Sequence, residues 1–182
     1  MFAIPVSKVT GINVGILVLV SGLLMTATAF FGMKSLTILS MIAVPSIAIL
    51  GSISAGKAIG DVGGITGLLS IEPTGTMTMS AALASVVGTF ISGGTLTADF
   101  TRFSKDKKTA VSTTVIAFLI GNSLMLAFGA IGAMATGQSD IAEVMFMQSL
   151  IIPAIIILGL NIWTTNDNAL YGSGLGLSLI HI

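Results

Sequence analysis

Apolar residues run through this chain in long uninterrupted windows, and polar residues gather at a few points between them. Charge-free stretches cover 9–33, 35–56, 73–98, 109–139 and 144–166. A helix crossing a bilayer needs about 20 mostly apolar residues. Five spans follow, at about 12–32, 35–57, 78–102, 108–135 and 142–170. Residues 1–5 read as the tail of an earlier helix. The stretch 58–76 is the single long connection, rich in glycine at Gly60, Gly63, Gly64, Gly67 and Gly75. Pro45 and Pro153, inside the second and fifth spans, are expected to bend them.

Two places break the apolar pattern within a span. The third carries Gly88, Gly93 and Gly94 among Thr89, Ser92 and Thr95. Glycine is a poor helix former, and unwound backbone at membrane depth is tolerated where it lines a cavity. A break near Thr89–Gly94 is therefore expected, with Phe90 offering a flat apolar face to a planar ring. The fifth span runs into the polar cluster 161–168 with no interruption. Polar groups there usually face water, an ion or a substrate. On a helix, Asn161, Thr164, Thr165 and Asn168 fall on one face. Their neutral oxygens suit a hard cation such as sodium, although plain interhelical hydrogen bonding would use the same groups. Trp163 lies away from that face and reads as packing or an interfacial anchor. Asp167 is either a proton relay or part of a hydrated inner vestibule. Asp99 and Arg102, three apart near a span end, could pair, act as a gate, or simply meet water.

Composition narrows the class. Only 8% of the 182 residues are charged, 54% are hydrophobic and the mean hydropathy is +1.07, against about 25% charge in soluble domains. The chain reads as an integral all-α membrane protein in contact with the lipid bilayer. Its net charge of zero gives nucleic acid no footing. There is no cysteine, and the sole histidine is His181, so disulfides, thiolate metal sites and a serine–histidine relay are set aside. The glycines at 60–67 lack the lysine–serine pair of a phosphate loop. The bias of basic residues puts Lys34 and the Arg102–Lys108 loop in the cytoplasm, with Lys8, Lys57 and the 58–76 loop outside.

The segments 161–171 with Gly174-Leu175-Gly176, 88–102 and 1–5 resemble the nucleobase–cation symporters, family 1. The resemblance runs from residue 1 to about 176, and Leu160-Asn161-Ile162-Trp163-Thr164-Thr165-Asn166-Asp167-Asn168 is its most specific part. It implies a twelve-helix, leucine-transporter-type inverted-repeat fold. This chain would hold a partial transporter domain, 1–176, from the end of helix 3 through helix 8. The implied activity is import of cytosine by cation symport, with sodium as the co-transported ion and no cofactor. Proton coupling, or another ring such as uracil, a purine, allantoin or a hydantoin, is the alternative. Thr89, Phe90, Ser92 and Asn161 would bind the substrate; Thr89 stands where the family pattern leads us to expect serine. Asn161, Thr164 and Thr165 would hold sodium, and Asp99, Arg102 and Asp167 would serve gating or coupling. The remaining pocket residues would lie on helices 1, 3 and 10. No enzymatic step and no obligate protein partner is implied, and the location would be a bacterial inner membrane. Both ends read as cut, and 177–182 as a non-native tail.

Overall fold

Nine α-helices and one π-turn account for nearly all of the described chain. A computed structural model describes residues 2–72 and 75–180, apart from the side chains of 92, 179 and 180. The helices are α1 (Ala3–Thr10), α2 (Val14–Phe30), α3 (Met33–Asp61), α4 (Gly64–Leu69), α5 (Met79–Thr101), α6 (Lys107–Ile116), α7 (Ser123–Thr136), α8 (Ile141–Met147) and α9 (Ile151–Ile180). The π-turn Ala117–Asn122 joins α6 to α7, making one continuous rod from Lys107 to Thr136. Three described helices are long and apolar enough to cross a membrane: α3, α5 and the rod 107–136.

Local chemistry sets the ends. Asn13 caps α2 by accepting from the Gly15 N–H at 2.8 Å, and Asp140 caps α8 by accepting from the Ala142 N–H at 2.8 Å. Asp106 caps α6 through the Thr109 N–H at 2.7 Å. Those side chains satisfy amide donors that the first helical turn leaves unpaired. Gly32, at φ +71°, makes the tight turn from α2 into α3, where a side chain would be strained.

The best-packed region lies where α3, α7, α8 and α9 meet. Met145, Ala154 and Ile157 are almost fully buried there. Gly51 on α3 takes the Phe128 ring so closely that a Cβ would stand 2.5 Å from it. Elsewhere large apolar side chains such as Leu19, Leu23 and Phe30 face outward, as expected for groups that meet acyl chains rather than water.

Three expectations change. The span 142–170 is two helices, because residues 148–150 leave the helical path and Ser149 adopts φ 61°. Gln148 anchors that corner. Its Nε2 donates to the Ser54 carbonyl at 3.0 Å, its Oε1 accepts from the Ser54 hydroxyl at 2.7 Å, and Lys57 Nζ donates to its carbonyl. Pro153 consequently sits in the first turn of α9 and starts a helix there, where its missing N–H has no cost. The stretch 58–76 is not all loop: α3 continues to Asp61 and α4 follows. Of the expected tail 177–182, α9 includes residues up to Ile180, and 181–182 lie outside the described residues.

Candidate functional site

The polar cluster of α9 divides between two opposite faces. Asn161 and Thr165 are exposed, and Thr164 and Asn168 half-buried, along the predicted stripe. Both threonine hydroxyls bond back into the helix. Thr164 donates to the Leu160 carbonyl at 2.9 Å, and Thr165 donates to the Asn161 carbonyl at 2.7 Å. A hydroxyl has one proton and two lone pairs. With the proton spent on the backbone, each oxygen keeps its lone pairs turned outward, the state a cation ligand requires. Asn161 also borders a cavity of about 220 Å³ shared with Ile47, Gly51, Phe128, Ile141 and Ile157.

The other face belongs to α2. The Trp163 indole N–H donates to the Thr28 hydroxyl at 2.9 Å, and the Asn166 amide contacts Met25 Sδ at 3.3 Å. Asp167 is fully buried beside them. The vestibule reading of Asp167 is therefore corrected: helical phase turns it away from the Asn161 stripe and into the α2 interface. The packing reading of Trp163 agrees with its half-buried place.

The third span also departs from expectation. α5 is unbroken through Gly88, Gly93 and Gly94. Glycine lowers helix propensity by about 1 kcal/mol but does not forbid a helix, and the hydroxyls of Thr89 and Thr97 bond back to the Ser85 and Gly93 carbonyls, both at 2.8 Å. Thr89 and Phe90 line a cavity of about 280 Å³ with Gly93, Ala117, Phe118 and Asn122. The Ser92 side chain lies outside the described residues. No lining residue is common to this cavity and the one at Asn161. The structure thus keeps the two halves of the expected pocket in separate cavities: among the described residues, α5 meets α9 near its C-terminal end.

At that end Arg102 and Asp99 do not pair; the salt bridge among the described residues is Lys8–Glu143 at 3.4 Å. Arg102 Nη2 instead donates to the Tyr171 hydroxyl at 3.3 Å, and its guanidinium lies 4.8 Å from the Phe103 ring centre. Phe100 faces Tyr171 with ring centres 6.3 Å apart, and Leu96 lies against Gly172. Asn122 is a candidate that the reading of spans passed over. Its signal was an amide, flanked by Gly121 and Ser123, within an apolar run. The structure adds that it closes a π-turn, a feature frequent at functional sites.

Helices of spanning length with buried polar contacts between them define a multi-pass membrane protein, and α9 adds a stripe of outward-turned oxygens. Residues 3–181 match the family described as permeases for cytosine/purines, uracil, thiamine and allantoin, and the chain belongs to that family. It is 57% identical, over 180 residues, to cytosine permeases of Escherichia coli K12 and O157:H7. That alignment takes in 99% of this chain and 43% of each relative, so the chain spans less than half of their length. Such relatives are transporters, not enzymes.

Proposed function

We propose that this chain is the middle part of a secondary transporter that imports cytosine together with a cation, sodium, across a bacterial inner membrane. The observation that carries this reading is the Asn161–Thr164–Thr165 stripe, whose oxygens are free to ligate, in a chain so similar to cytosine permeases. Sodium sits against Thr164 and Thr165. In the whole transporter, a twelve-helix, leucine-transporter-type fold whose further helices complete the pocket, α5 closes on α9 to join the two cavities that are separate here, and the nucleobase lies between Asn161 and the Thr89–Phe90–Ser92 segment, stacked on Phe90. Asn122 adds an amide to the Thr89–Phe90 cavity, able both to donate to and to accept from a base edge.

Coupling is a difference in affinity of ion and substrate for two conformations. Asp99 and Arg102 stand where α5 meets α9, and the Arg102–Tyr171 bond is the contact that would part as the inner side opens. The Arg102–Lys108 loop then lies in the cytoplasm and 58–76 outside, following the basic residues. The test is uptake of labelled cytosine by cells expressing the whole gene, with sodium present or replaced by choline. Sodium-dependent uptake is expected. Equal uptake without sodium, but driven by an acid outside medium, would replace sodium by a proton. Suppression by uracil or hypoxanthine stronger than by unlabelled cytosine would change the substrate.

A further inference from the structure

Asp167 presents a carboxyl group that is 0% exposed; neither of its oxygens makes a hydrogen bond of ordinary geometry, and the polar group beside it is the Thr28 hydroxyl of α2. One turn earlier on α9, Trp163 is fastened to Thr28 of α2. The Thr28 hydroxyl passes its own proton to the Met25 carbonyl at 2.9 Å. Asn166, between them in sequence, reaches Met25 Sδ. All of these groups face α2, a helix with no charged residue of its own.

An apolar side chain of similar volume would cost less in that place. What a polar group adds there is direction. If α9 turned about its axis, Asp167 would leave the Thr28 hydroxyl, the polar group beside it, for wholly apolar neighbours or acyl chains, where a carboxyl group is more expensive still. The Trp163–Thr28 bond would break in the same movement. The two groups therefore hold one rotation of α9 over the turns 161–168. The ligand stripe occupies those same turns on the opposite face, so its direction is fixed from behind.

We propose that Asp167, Trp163 and Thr28 are positioning residues: they lock the rotation of α9 on α2 and thereby aim the Thr164 and Thr165 oxygens at the cation. The proposal rests on the transporter reading above for its ion, but its geometry can be examined without it. The whole transporter is reconstituted in proteoliposomes as wild type, D167L, D167N, W163F and T28V. For each, the sodium concentration giving half-maximal cytosine uptake is measured, together with the maximal rate. D167L and W163F are expected to raise the half-maximal sodium concentration roughly three- to tenfold while the maximal rate at saturating sodium stays near wild type. D167N, which keeps shape and polarity, should recover most of the difference. In parallel, T165C in a cysteine-free background reports the direction of the stripe through its rate of reaction with a small hydrophilic maleimide. Adding D167L or W163F should change that rate by a similar factor.

A drop in folded protein or maximal rate, with sodium dependence and labelling unmoved, would show a merely structural role and overturn the proposal. Should D167L not reach the membrane, W163F and T28V carry the same measurements. If wild-type uptake ignores sodium, the transport reading fails by itself. Labelling then decides alone, and an unchanged rate sinks the lock.

Discussion

α5 and α9 both carry hydroxyl and amide groups within an apolar helix, yet they are held very differently. α9 is gripped by α2, α3 and α8, with Ala154, Ile157 and Asp167 buried along its length. Among its described residues α5 has none buried, and it meets α9 through Leu96, Phe100 and Arg102 near its end. Sparse packing lowers the free energy of local opening. The substrate site proposed above would have a fixed wall on α9 and a yielding one on α5, an asymmetry suited to a site that opens to either side in turn.

Several measurements would break or sharpen that contrast. The largest expected effect is on the fixed wall. Asn161→Leu in the whole transporter should lower uptake at low cytosine roughly ten- to a hundredfold, with the amount of folded protein unchanged because the side chain is exposed. Uptake within twofold of wild type would remove Asn161 from the site. Next comes a pair of glycine substitutions. Gly51→Ala drives a methyl group into the Phe128 ring and should cost about 1–3 kcal/mol by overpacking, read as a lower unfolding temperature in detergent. Gly94→Ala meets nothing within 4 Å and should leave stability equal or raise it by up to about 1 kcal/mol. If α5 must unwind during transport, Gly94→Ala will slow uptake even so; equal stability and equal uptake would argue that α5 stays helical throughout.

A smaller effect is expected at the corner before α9. Gln148→Ala leaves the buried Ser54 groups without their partner and should cost about 1–2 kcal/mol, seen as earlier thermal unfolding. The smallest concerns pH. The Thr109 backbone N–H, joined by the Thr109 side chain, holds the Asp106 carboxyl below its ordinary range. The native state then binds fewer protons than the unfolded chain. Its contribution is complete above the ordinary carboxylate range and fades as pH falls through that range to the lower native value. Asp106→Asn keeps the cap acceptor, so its unfolding temperature should lose that part of the pH dependence. Parallel profiles for the two proteins would remove the cap from the account.

Much of this architecture could be read from residue order. The apolar windows located α2, α3, α5 and the rod 107–136 to within a few residues, since lipid exposure demands long unbroken runs whatever packs beside them. The spacing of three and four also predicted one face for Asn161, Thr164 and Thr165. What escaped depended on partners distant in sequence. The corner at Ser149 is held by Ser54 and Lys57, some ninety residues away. Asp167 is buried beside Thr28 of α2, a helix whose sequence has no charge to announce it. The three glycines of α5 permit a break without compelling one.

The π-turn at 117–122 has a consequence for the whole rod. Upstream of it, Val111 and Thr114 border a cavity on the α5 side; downstream, Phe128 and Gly132 engage α3 and α8. A widened turn inserts one residue's worth of azimuth, about 100°, between those two commitments. Excising a single residue there would return an ordinary coil and yet leave the halves out of phase, so that only one of them could meet its neighbours at a time.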